Sequence, residues 1–145
     1  MAGVLVLATL FGAYWFLLRG DGGPSSGYLR SEERVTTAAR AVPESAGQVQ
    51  RFLELDKFRK AVDEQLVVIK AETAKLRTLA VQSDGDAATI AGTSADAATQ
   101  IATSTVSYRD AIIVSNNLAD ADAALLDIKA SIVKLERQAR AWKKL

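Results

Sequence analysis

From Ala111 to Trp142 the chain places an apolar residue at every step of three or four: Ala111, Val114, Leu118, Ala121, Leu125, Ile128, Ile132, Leu135, Ala139 and Trp142. The positions between are largely polar or charged, with Asp120, Asp122, Asp127, Lys129, Lys134, Glu136, Arg137 and Arg140 among them. This spacing predicts a long amphipathic helix of coiled-coil type. A weaker version runs through Phe52, Leu55, Arg59, Val62, Leu66, Ile69, Thr73, Leu76 and Ala80, where one Arg and one Thr interrupt the apolar seam. It stops at Ser83-Asp84-Gly85-Asp86, a turn sequence over 83–86 in which Asp86 is suited to cap the next helix.

Between the two seams, DAATIAGTSA (86–95) is followed by DAATQIATST (96–105), an approximate repeat of small residues. Such a helix lets a neighbour approach closely but buries little apolar area per residue. It is expected to be the most mobile helical part unless something covers it. Ahead of the seams, Ser31 followed by Glu32 and Glu33 predicts a short helix to about residue 41. Val42-Pro43 then marks a break, with Pro43 placed to open the next helix.

The predicted fold is all-α. A single N-terminal transmembrane helix is followed by a long antiparallel helical hairpin or coiled coil, with a three-helix bundle as the compact variant. If the chain turns at Gly85, the arm from Pro43 is about 60 Å long and the arm to Lys143 about 87 Å. The longer arm overhangs, and the overhang carries the best seam. Exposed, it would be an aggregation hazard. The short helix at 31–41, a second copy of the chain or a different protein would have to cover it. The seam residues Leu118, Ala121, Leu125, Ile128, Ile132, Leu135, Ala139 and Trp142 are therefore the expected partner-binding face.

Residues 2–18 (AGVLVLATLFGAYWFLL) hold no charge and are followed by Arg19. At about 1.5 Å per residue this run reaches about 25 Å, the short end for a bilayer span. Leu5, Leu7, Leu10 and Phe11 supply the apolar body. Tyr14, Trp15 and Phe16 stand beside Arg19 as an aromatic belt beside a charged flank. With no Lys or Arg ahead of the run and no small-x-small site before Arg19, it reads as an uncleaved anchor over 1–19. The Gly/Ser/Pro-rich segment 20–29 reads as a flexible linker, and 30–145 as the helical domain. The basic residues past the anchor (Arg19, Arg30, Arg34 and Arg40) lean towards a helical domain on the cytoplasmic or equivalent side.

Charge and composition narrow the chemistry. The net charge is +1, but residues 84–127 carry seven Asp against one Arg, and residues 128–145 carry six Lys/Arg against one Glu. The basic end, with Arg137, Arg140, Trp142, Lys143 and Lys144, suits a second contact with anionic membrane lipid. The chain has no Cys and no His, which excludes disulfides, thiolate catalysis, Cys/His zinc sites and His acid–base chemistry. Asp84-Gly85-Asp86 lacks the further oxygen ligands of a calcium loop. No phosphate loop or nucleophile elbow is present. The expectation is a chain with no catalytic, cofactor or metal site, no nucleic-acid partner and no small-molecule substrate.

An anchor followed by a coil of this length resembles the plan of phage inner-membrane spanins. The Ala/Ser/Thr-rich hairpin looks like the signalling hairpins of chemoreceptors. Both are likenesses of architecture, and they imply envelope bridging and signal relay as alternatives. The leading expectation is a non-catalytic accessory or scaffold subunit, docked through its seam onto other subunits of a membrane complex or onto copies of itself.

Overall fold

The computed structural model describes residues 23–46 and 54–145. Among them are four helices: α1 (Gly23–Ala46), α2 (Leu55–Gln82), α3 (Gly85–Asp110) and α4 (Leu118–Trp142). A π-helical turn, Ala111–Ser115, joins α3 to α4. Each helix packs on the next, and α4 packs back on α1, which closes an up-down-up-down bundle. The expected anchor over 1–19 lies outside the described residues, as does Phe52. Among the described residues no helix is long and apolar enough to cross a membrane.

The predicted long arm does not exist as one helix. The chain breaks after Ser115: Asn116 adopts the left-handed conformation (φ 47°), and the Asn117 amide donates to the Ala111 carbonyl at 2.9 Å. Asn117 then caps α4, its side-chain oxygen accepting from the amides of Ala119 and Asp120. Asn tolerates left-handed backbone and is among the best caps, so the Asn pair reverses the chain where the apolar spacing runs on uninterrupted. Val114 and Leu118, expected in the seam, are 78% and 73% exposed at this corner. The break yields helices of 24, 28, 26 and 25 residues, and the overhang disappears.

The rest of the α4 seam lies in the core. Ala121, Ile128, Ile132, Leu135, Ala139 and Trp142 are buried, with Leu125 partly so. The helix that covers it with α3 is α1, far longer than the predicted 31–41. It starts inside the expected linker, at Gly23, and runs on through Pro43. Pro24 sits in the first turn, where a missing N–H costs nothing. Ser31, expected as a cap, lies mid-helix and buried.

In α2 the predicted positions Val62, Leu66, Ile69, Thr73 and Leu76 face inward, joined by Phe58, Leu79 and Glu72. The turn falls where expected, but Asp84, not Asp86, precedes the helix. Gly85 has φ +57°, a conformation that favours glycine. The small-residue repeat forms α3, which packs on both α2 and α4. Ala91, Ser94, Ala95, Ala98, Ile101 and Thr105 are buried there. A Cβ on Gly92 would lie 3.9 Å from that of Ala80, an ordinary contact across the α2–α3 seam. Its hydroxyls mostly turn back onto their own helix: Thr93 donates to the Thr89 carbonyl, Ser94 to Ile90 and Thr99 to Ala95.

Leu135 is fully buried and Val81 86% exposed. Leu135→Ala is expected to destabilise the bundle by about 2–5 kcal/mol. Val81→Ala should change it by less than about 0.5 kcal/mol. Urea unfolding followed by circular dichroism measures both.

Candidate functional site

Three polar or aromatic constellations tie the helices together, and none was singled out from the sequence. The first stands where Gly23, the α2–α3 turn and the end of α4 come together. Tyr28 on α1 stacks on Trp142 of α4, with ring centroids 4.1 Å apart and planes 13° from parallel. The Tyr28 hydroxyl also shares a 2.6 Å hydrogen bond with Ser94 Oγ of α3. Burial pushes the phenol up to about 12, against the opposing effect of that hydrogen bond. Trp142, expected at a lipid headgroup, is only 7% exposed and spent on this contact. The neighbouring Arg137, Arg140, Lys143 and Lys144 are exposed.

The second constellation is centred on Glu72, a buried carboxylate on α2. Ser31 donates to its Oε2 at 2.8 Å, while Lys75 and Arg34 donate to its Oε1 at 2.8 and 3.1 Å. Burial raises the pKa of this group, but the three hydrogen bonds together outweigh it and hold the carboxyl below its ordinary value. Above the cluster, α1 and α2 leave an open groove of about 520 Å³, lined in part by Arg30, Glu33, Gln65 and Val68. Close by on α1, Glu32 accepts from Thr36 at 3.0 Å. Its pKa is raised, because burial outweighs that hydrogen bond.

The third constellation lies at the far end of the bundle. Arg109 Nη1 donates to Asp63 at 2.7 Å, and Arg109 also pairs with the adjacent Asp110. Phe58 and Tyr108 meet edge to face with centroids 6.1 Å apart. The two carboxylates raise the pKa of the guanidinium, chiefly through their hydrogen bonds. Nearby, a shallow pocket of about 350 Å³ opens at the π turn between Asp110, Val114 and Asp120.

These groups are arranged to pin helices in register. Glu72 is paired with Arg34 and Lys75, and Arg109 with Asp63 and Asp110, and among the described residues no group of three or more Asp or Glu is placed to hold a metal ion. Among the described residues one buried side-chain polar atom is left over: Thr105 Oγ1 has no hydrogen-bond partner. The partner-binding seam expected over 118–142 is occupied within the chain, apart from Leu118. No family model matches this chain, and neither a curated protein nor a solved structure matches it.

Three expectations follow from the polar groups. Thr105→Val keeps the shape and removes the unpartnered hydroxyl, so it should raise stability by about 1 kcal/mol in chemical unfolding. Glu72 has a folded pKa below 4.5, so its contribution is present above that value and lost as pH falls through the folded pKa. Glu72→Gln should therefore cost about 1–3 kcal/mol at pH 7. The gap from the wild type should close in unfolding measured towards pH 3. Glu32 has the opposite sign: its raised pKa means stability is lost as pH rises through it, so Glu32→Gln should stabilise at neutral pH.

Proposed function

We propose that the chain is a non-catalytic, membrane-tethered helical subunit that holds a compact bundle at a bilayer surface as a scaffold or accessory part of a membrane assembly. The observation that carries this reading is the junction of two unlike segments: the uncharged run 2–18 stands immediately ahead of a bundle that begins at Gly23. In that bundle Tyr28 with Ser94, Ser31 with Glu72 and Arg109 with Asp63 are committed to helix–helix contacts. The mechanism is concentration: a tether raises the local concentration of the bundle at anything else in the same membrane.

Because the α4 seam is covered by α1 and α3, docking falls to the outer faces of the bundle. The basic residues Arg137, Arg140, Lys143 and Lys144 remain on the surface near the α1 start, and a contact with anionic headgroups through them does not need the Trp142 ring. The excess of Arg over acidic residues just past the apolar run favours the helical domain on the cytoplasmic or equivalent side.

Fractionation of the native membrane tests the tether. The full chain should stay with the membrane through a high-pH carbonate wash, and a chain lacking residues 2–18 should appear in the soluble fraction with its helical spectrum intact. Release of the full chain by the wash would end the reading. Side is tested with Ser83→Cys, which lies in the α2–α3 turn of a chain that otherwise has no Cys. Protection from an impermeant thiol reagent in intact cells is expected; labelling would favour the envelope-bridging plan.

A further inference from the structure

The up-down-up-down course puts the start of α1, the α2–α3 turn and the end of α4 at one end of the bundle, and the α3–α4 corner at the other. The uncharged run ends at Leu18, five residues before Gly23. Five Cα–Cα steps reach about 18 Å at most. The helices are 24 to 28 residues long, or about 36–42 Å. A bundle tethered through residues 2–18 therefore keeps its Gly23 end beside the bilayer. The link is too short to let it stand inverted, with the α3–α4 corner down and Gly23 at the top.

Charge is unequal across the Gly23 end. Arg30 on α1 and Arg137, Arg140, Lys143 and Lys144 on α4 are exposed, and among the described residues none of them takes part in an ion pair. Two of the acids beside them are spent within the bundle. Glu32, close enough to Lys143 to feel its charge, is buried, and Glu136 pairs with Arg40. Glu33 is exposed in the groove between α1 and α2. At the α2–α3 turn the sign reverses: Asp84 and Asp86 are exposed there, and Arg77 is paired with Asp96 at 3.7 Å. The last two turns of α4 thus form a basic edge next to the point where the tether enters. The acidic turn stands on the opposite side of the bundle. The Tyr28–Trp142 stack holds the basic edge against α1, so its cations are presented on a fixed backbone.

We propose that this basic edge docks on the anionic headgroups of the bilayer that holds the tether. The surface is the last two turns of α4 with Arg30 of α1, and the partner is a lipid surface of negative charge. Docking there gives the bundle one orientation. The Gly23 end sits down on its α4 edge, the acidic α2–α3 turn tilts away, and the α3–α4 corner points outward. The exposed Val114 and Leu118 then lie at the end of the described chain furthest from the membrane. Each cation near an anionic surface multiplies the docked population about fivefold, and a tether makes docking an intramolecular step, so few cations suffice. The proposal rests on the tethering reading and adds to it a face, a lipid charge and an orientation.

The absence of native Cys makes the test direct. In the full chain, Leu145→Cys marks the basic edge and Val114→Cys the far corner. Each is labelled with a fluorophore and reconstituted into vesicles that carry a nitroxide-headgroup lipid in both leaflets. The vesicles are phosphatidylcholine alone or phosphatidylcholine with phosphatidylglycerol. The Leu145→Cys label should be quenched strongly with phosphatidylglycerol and weakly without it, and the Val114→Cys label should escape in both. Lys143→Gln with Lys144→Gln should lower the docked-to-undocked ratio at least about tenfold. About 1 M salt, where the screening length falls to about 3 Å, should lower it as well. Circular dichroism on each variant checks that the bundle is intact. In a chain that survives the carbonate wash, Leu145→Cys quenching that is equal in the two lipids, or unchanged by the double substitution, would overturn the inference and leave the tether standing. Equal quenching at Val114→Cys would overturn it too, by removing the orientation. A chain that washes off the vesicles would defeat the tethering reading itself, and the docking with it.

Discussion

The bundle depends on one contact, the stack of Tyr28 on Trp142. It joins the first described helix to the last, and through Ser94 it joins both to α3 at the same level. Without it, α1 would begin in a Gly-Pro-Ser-Ser-Gly sequence that has little reason to be helical. An aromatic pair of this kind adds to its buried area a preference for one geometry, so it fixes the position of α1 along α4 as well as the fact of packing. Once α1 is held there, the α4 seam has its cover and the four helices need no overhang.

Glu72 does for α1 and α2 what Tyr28 does for α1 and α4. A buried carboxylate with three donors is costly to misplace, because each donor left without it loses a partner. Hydrophobic seams built from Val, Leu, Ile and Ala tolerate a shift of one turn more readily than such a cluster does. The Ser31 hydroxyl meeting Glu72 Oε2 therefore sets register, and the cluster contributes specificity more than net stability. The small residues of α3 complete the arrangement. They let one helix serve two neighbours at once, and their hydroxyls are mostly satisfied within the helix.

Periodicity made α2 and the second half of α4 legible. Val62, Leu66, Ile69, Leu76, Ile128, Ile132 and Leu135 are buried as their spacing predicts. It failed at the α3–α4 corner because Ala111, Val114, Leu118 and Ala121 keep the helical step through a place where the backbone leaves the helix. The only signal there is Asn116-Asn117, two residues suited to left-handed backbone and to capping. At the other end, Gly, Pro and Ser argued for a linker, and tertiary contacts of Tyr28 overrode them. The polar registers were not legible at all, since Ser31, Glu72 and Ser94 acquire meaning only when three helices are brought together. The anchor expected over 1–19 rests on the sequence alone and lies outside the described residues.

The closing contacts of α1 with α4 also bear on how the bundle is made. Arg40 and Glu136, which pair across this seam, are 96 residues apart in sequence. The α2–α3 and α3–α4 pairs are joined by turns of a few residues and close cheaply, whereas α1 must search over most of the chain to find α4. Loop-closure cost therefore favours the sequential helix pairs over the α1–α4 contact. Until α1 docks, the inner seam of α4 has only half its cover, and it is the same seam that would be uncovered if α1 later peeled away. The helix hardest to read from the sequence is thus the one that decides when the chain stops being adhesive.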